Sequence, residues 1–159
     1  MDGDQPIGGR WNFDDENRLP PPKQGYVYPE YPTHVQDELD EEVWRNIVDR
    51  KLPVTGTPPD GTWGTTRTAA MKQLSSFLEH GFAGFGPYED AMDGEHWAMN
   101  HSLLAPYMNL GLLHADEVVA AAVDRFEQGG IPLSSAEGFI RQVIGWREYV
   151  NGEIGRAHV

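Results

Sequence analysis

The sequence predicts an all-α fold, a partial helical bundle preceded by an extended linker. Three observations predict it. Apolar residues recur at three- and four-residue spacing in four separate stretches, the pattern of helices that each bury one face. Cap-forming residues, Thr, Ser and paired glycines, stand at the ends of those stretches. Acidic side chains gather in the first turns, where they complement the helix dipole.

At 159 residues and 17.8 kDa the chain suffices for one domain with a core, and 39% apolar with 11% aromatic content fits a globular protein. The absence of cysteine excludes disulfides, thiolate metal sites, cysteine nucleophiles and chain-supplied iron–sulfur ligands. Twenty-five acids against twelve bases give a net charge of −13, which repels phosphate backbones and argues against a free-standing nucleic-acid binder. No apolar run approaches the roughly 18–20 residues of a membrane span, and the first residues are acidic. A cytoplasmic protein without a membrane partner is the expectation.

Residues 1–32 hold Gly8-Gly9, Pro20-Pro21-Pro22, Pro29 and Pro32, and read as an extended linker. Trp11, Phe13, Tyr26, Tyr28 and Tyr31 are rings enough to pin that linker to a surface. From Thr33 to Arg50, the residues Val35, Leu39, Val43, Ile47 and Val48 trace a helical face, and Asp37 to Glu42 crowd its N-terminal half. Those acids read as a solvated face without chemistry. Lys51 to Trp63 is a Pro/Gly loop. Thr66 or Thr68 then caps a helix that runs to His80, with Ala70, Leu74, Phe77 and Leu78 inward and Gly81 as a left-handed cap.

Ser102 reads as the cap before a core helix, and a further helix from Asp116 to Gln128 turns Val118, Val119, Ala122, Val123 and Phe126 to the core before Gly129-Gly130 end it. The last helix starts at Ser134, whose spacing to Glu137 is that of a capping box. Phe139, Val143, Trp146 and Val150, flanked by Ile140 and Ile144, form its apolar stripe. His96 and His101 are five apart, so they do not share a helical face, and no metal site or catalytic residue is assigned.

Certain words in the chain resemble a known family. Gly145-Trp146-Arg147-Glu148-Tyr149 resembles the Trp-Arg-Glu-aromatic signature of the cryptochrome/photolyase superfamily, and Glu137 to Val150 looks most like its bacterial photolyase-related branch, which includes iron–sulfur cryptochromes and (6-4) photolyases. Gly8 to Asp14 with Glu16-Asn17-Arg18, Thr66 to Leu78 and the run Phe85-Gly86-Pro87-Tyr88-Glu89-Asp90-Ala91-Met92 are similar to the same branch. The resemblance covers nearly all of Gly8 to Gly152. It implies that residues 33–153 are the N-terminal part of a helical FAD-binding domain and that residues 1–32 are the linker from an antenna domain.

By resemblance, the turn His101-Ser102-Leu103-Leu104-Ala105 wraps the FAD pyrophosphate, Tyr88 also reaches the phosphates, Gln142 and Arg147 lie at the flavin, and Trp146 meets the DNA lesion. Backbone amides at a helix start bind anions without basic side chains. Ala105 stands where the family has serine, Val143 where many members have a glutamate, and Val119 where iron–sulfur members have their first ligand. No lesion-binding carboxylate and no cluster is therefore carried over. Read without the family, Ser102 is a cap and Trp146 is equally a core ring.

The resemblance implies a fragment of a light-dependent photolyase that repairs UV pyrimidine photoproducts, of (6-4) type, by electron transfer from FAD. UV-damaged DNA would be the partner of the intact protein, and an antenna chromophore of ribityllumazine type would sit in the N-terminal domain that this chain lacks. The fragment alone is expected to be inactive. Two alternatives stand beside it: a blue-light photoreceptor without repair, and an acidic helical interaction module without cofactor. Met1-Asp2-Gly3 resembles an internal stretch of the family, and residues 154–159, Ile-Gly-Arg-Ala-His-Val, read as translated sequencing adapter.

Overall fold

The computed structural model describes residues 3–23 and 25–157. Among the described residues six α-helices follow one another: α1 (Glu38–Asp49), α2 (Arg67–Ser76), α3 (Phe82–Phe85), α4 (Ala105–Asn109), α5 (Ala115–Glu127) and α6 (Leu133–Ala157). There is no sheet among the described residues, so the all-α expectation holds. Of the end segments, Met1 and Asp2 lie outside the described residues, as do His158 and Val159.

The core forms where α2, α3 and α5 meet the first half of α6. Ala70, Leu74, Phe77, Phe82, Phe85, Tyr107, Val118, Ala122, Phe139 and Val143 are all buried in it. Thr66 caps α2 as expected, its hydroxyl accepting the Ala69 N–H at 3.1 Å. Helix α2 does not stop at Gly81, however. The Phe82 N–H donates to the Phe77 carbonyl, a π-helical turn over Phe77–Gly81, and the chain then continues into α3. At φ −100° Gly81 is right-handed rather than the left-handed cap. Its missing Cβ serves close packing, since one would sit 3.0 Å from both the Phe77 ring and the Tyr31 hydroxyl. The wider turn has a packing consequence. Five residues of regular helix would splay Phe77 and Phe82 onto different faces, whereas the extra residue turns both rings inward.

Helix α5 ends at left-handed Gly129 and Gly130, as the sequence predicts, although Val123 is exposed rather than buried. Helix α6 begins one residue before Ser134. The Ser135 and Ala136 N–H groups both donate to the Pro132 carbonyl, and Glu137 accepts from the Phe13 N–H at 3.3 Å and from Arg141 at 2.9 Å. The expected capping box is thus replaced by long-range bonds that draw the N-terminal segment onto α6. Farther along, Phe139 and Val143 are buried, but Ile144, Trp146 and Val150 are exposed, so the stripe is covered only in its first half.

Residues 3–23 and 25–37 run over the helical body, with two short 3-10 turns at Ile7–Gly9 and Asp14–Glu16. Phe13 and Asn17 are buried, the Tyr26 hydroxyl donates to Asn100 Oδ1 at 3.1 Å, and the Tyr31 hydroxyl donates to the His101 carbonyl at 2.6 Å. Trp11 remains exposed. Helix α1 starts at Glu38, not Thr33, because Asp37 caps it by accepting from Leu39 and Asp40. Its predicted apolar face does not enter the core. No residue of α1 is buried, and Leu39, Val43 and Ile47 border a cleft shared with Trp63.

The N-termini of α2 and α5 are clamped together by charge. Arg67 donates in a fork to Glu117, at 2.9 and 2.7 Å, and also to the Leu112 carbonyl at 2.8 Å. These bonds, with the His114 N–H, pull the Glu117 carboxyl down to about 2. A depressed carboxyl contributes stability above its unfolded pKa and loses it as pH falls through the folded one. The clamp's share is therefore present at neutral pH and lost between the ordinary glutamate value and about 2. Acid unfolding at low salt should show it: Glu117→Gln flattens the loss of stability in this window, and high salt narrows the difference because the pair is exposed. Identical acid profiles for both proteins at low salt would sink the assignment.

Candidate functional site

One large cleft opens between the 101–105 turn, α4 and the outer half of α6, with a volume of about 990 Å³. Phe85, Phe139 and Val143 form its floor, Trp63 and Trp146 stand at its sides, and His101 to Pro106 make its opposite wall. Of the residues singled out by resemblance, His101, Ser102, Leu103, Leu104, Ala105, Gln142, Trp146 and Arg147 all line it. Tyr88 does not. Its ring packs edge-on against Tyr26 at 5.7 Å, under the N-terminal segment.

The turn is held rigid from behind. Leu103 adopts a left-handed φ of 57°, which costs a leucine about 1–2 kcal/mol, so other contacts must fix it. They are present: buried Gln73 donates to the Ser102 carbonyl at 3.0 Å, Tyr31 holds the His101 carbonyl, and Leu104 is buried in the core. The Ser102 hydroxyl accepts weakly from the Leu104 N–H at 3.4 Å. Burial pushes the His101 imidazole below its ordinary pKa, so the ring is neutral near pH 7.

Across the cleft, α6 presents Gln142, Trp146 and Arg147. One Arg147 N–H donates to the Val143 carbonyl at 2.8 Å, and among the described residues no carboxylate lies within ion-pair distance of its guanidinium. Four of its five N–H donors are thus not used in that bond. Trp146 Nε1–H donates to Gln142 Oε1 at 2.6 Å, and Gln142 Nε2 donates in turn to Glu89. Burial raises the Glu89 carboxyl, while Gln142, Arg141 and Asn17 act in the opposite direction.

Sequence reasoning missed Glu89, Trp63 and Phe139 as cleft residues. Glu89 belongs to the Phe85–Met92 run, yet a lone carboxylate in a turn carries no signal of its own. Trp63 ends a Pro/Gly loop, and the spacing of Phe139 points only to the core. No group of three His, Asp or Glu able to hold a metal ion occurs among the described residues, and no described helix is long and apolar enough to cross a membrane. The cleft offers ring faces and N–H donors, with the carboxylates of Glu89 and Asp90 at its edge.

Comparison with known proteins gives a consistent result. The family described as deoxyribodipyrimidine photo-lyase-related protein matches residues 1–63. A (6-4) photolyase of Agrobacterium fabrum is 44% identical over 153 residues, which is 96% of this chain and 30% of that protein. An uncharacterized protein of Acanthamoeba polyphaga mimivirus is 36% identical over 63 residues, 39% of this chain and 48% of that protein. The chain thus spans less than half the length of either relative.

Proposed function

Because the chain belongs to the photolyase-related family, we propose that its large cleft is one wall of an FAD site, and that the intact protein is a light-dependent photolyase acting on UV pyrimidine photoproducts of the (6-4) type. A single observation carries this reading. A rigid polar turn and a set of aromatic walls open onto the same cleft, and a flavin dinucleotide needs both, donors for its pyrophosphate and ring faces for its heterocycles.

The residues present fit such a ligand. Ser102 and the backbone of 102–105 would serve the phosphates, with Arg147 and Gln142 supplying N–H donors from α6. Glu89 and Asp90 also line the cleft and oppose an anion. Both Glu89 oxygens are engaged by Asn17 and Gln142, so its carboxylate is already occupied by N–H donors of the chain. When bound, a reduced flavin supplies the light-driven electron that opens a pyrimidine photoproduct. The exposed Trp146 ring offers a stacking face to a base extruded from the duplex. The net charge of −13 works against DNA, so the basic surface for the phosphate backbone must come from outside this chain.

Titration of the folded chain with FAD tests the reading. Tryptophan fluorescence should quench saturably, and Arg147→Ala should weaken binding about tenfold, the worth of one charge-assisted hydrogen bond. No saturable response up to about 1 mM, the weak end of specific recognition, overturns it. With a photoproduct-bearing oligonucleotide under blue light the 159-residue chain alone should show little or no repair. Bound flavin that is reduced by light without repair by the intact protein would favour a photoreceptor instead.

A further inference from the structure

We propose that Glu89 is a positioning residue, which sets the polarity of a hydrogen-bond relay from Asn17 through Gln142 to the Trp146 ring and so fixes that side of the cleft. The inference rests on the cleft being a site for a ligand with planar rings, where the orientation of Trp146 determines what stacks there.

The relay joins four residues from three parts of the chain. Asn17 Nδ2 donates to Glu89 Oε2 at 2.8 Å, and Gln142 Nε2 donates to Glu89 Oε1. An ionised carboxylate only accepts, so both amides must turn their nitrogens toward it. With its nitrogen held, Gln142 has its carbonyl oxygen facing outward along α6, one turn from Trp146. That oxygen accepts the Trp146 Nε1–H at 2.6 Å. An indole only donates, and a reversed Gln142 would set an NH₂ against an N–H. The bonds therefore converge on the carboxylate, from Asn17 on one side and from Trp146 through Gln142 on the other, and Glu89 at the centre dictates their sense.

The surrounding fold makes room for this arrangement. Asn17 is only 1% exposed, and Gly138 permits its approach: a Cβ there would lie 2.6 Å from Asn17 Nδ2 and 2.7 Å from Glu89 Oε2. Arg141 of α6 and Asp90 of the same turn are the charged groups that act on Glu89. Arg141 is itself held by Glu137 at 2.9 Å and Asp14 at 3.3 Å. Its charge is thus shared, which leaves the amides of Asn17 and Gln142 as the direct partners of Glu89.

A swap of the two side chains tests the polarity. Glu89→Gln keeps the shape but offers one acceptor oxygen to two donors, so Gln142 reverses or detaches and Trp146 loses its acceptor. Gln142→Glu sets a second carboxylate against Glu89. In the double variant E89Q/Q142E the amide at 89 donates to the carboxylate at 142, whose other oxygen again accepts from Trp146. The readout is the indole N–H resonance of Trp146, identified by its loss in Trp146→Phe, with its hydrogen-exchange rate.

Each single change should speed exchange of that proton about tenfold, one hydrogen bond's worth, and the double variant should restore it. FAD affinity should fall and recover in parallel. An unmoved indole signal in E89Q, or a double variant no better than the singles, overturns the inference. Thermal melts establish that each variant is folded, and if Gln142→Glu is not, E89Q and the double variant decide alone. Should the indole pattern appear while the wild-type chain fails to bind FAD, the flavin reading falls and the relay stands. Should wild type bind FAD and the singles bind it equally with unmoved indole signals, the relay falls and the flavin reading stands.

Discussion

Phe139→Ala should destabilise the chain by about 3–5 kcal/mol, the range for emptying a buried phenyl site. Against a total of about 5–15 kcal/mol for a typical domain, a large share of the chain would then be unfolded. The magnitude follows from where the ring sits. Phe139 lies 4.8 Å from Phe77, 5.5 Å from Phe82 and 5.5 Å from Phe85, centroid to centroid, and two of these contacts are edge-to-face. Removing it leaves three rings around a void that backbone on three helical segments keeps from collapsing. Phe139→Leu should cost less, since a branched chain refills much of the volume. Urea unfolding followed by far-UV circular dichroism measures both. A loss below about 1 kcal/mol for the alanine would mean that the rings are not a cooperative core. Phe139 also floors the cleft, so ligand binding should be read only from variants shown to be folded.

Much of the fold was legible because most of the helices are written in local signals. Thr66 and the Gly129-Gly130 pair mark ends with side-chain and backbone chemistry that needs no tertiary context. The junction at Gly81 was not legible. A glycine after an apolar helix reads as a cap, and only the packed ring of Phe77 and hydroxyl of Tyr31 reveal that it is there for closeness. Helix α1 shows a second limit. Periodicity reports that Leu39, Val43 and Ile47 share a face, but not that anything within the chain covers it. Likewise Ser134 and Glu137 have capping-box spacing, yet Glu137 is taken by Phe13 and Arg141, partners distant in sequence or on the next turn.

The candidate site was legible mainly through resemblance. Spacing alone does not bring His101 to Ala105 within reach of Gln142, Trp146 and Arg147, which lie some forty residues on and meet only because α6 folds back past α3. What neither periodicity nor resemblance supplied was Glu89. Its place between Asn17 and Gln142 depends on the absence of a side chain at Gly138, a fact about space that no window of sequence contains.

The same physics makes one glycine substitution costly and another beneficial. Gly86 has an ordinary right-handed backbone, φ −55°, so alanine is not excluded by conformation. It is excluded by room. A Cβ at 86 would lie 2.6 Å from Ser135 N and 2.7 Å from both Ser135 Cα and Oγ, and the first two are backbone of α6 that has nowhere to go. Ser135 is fully buried, accepting the Gly86 N–H at 3.0 Å and donating to the Ala83 carbonyl at 3.0 Å. Gly86→Ala must separate α3 from α6 and strain or break these bonds, an overpacking cost of about 1–3 kcal/mol with about 1–3 more for buried polar groups left unpaired. Gly145, inside α6, faces open space. There the gain in helix propensity acts alone, and Gly145→Ala should stabilise by about 0.5–1 kcal/mol. Urea midpoints for the two variants should move in opposite directions from wild type. A shift of both the same way would mean that α3 and α6 do not meet at Ser135, and with that contact would go the floor on which the cleft is built.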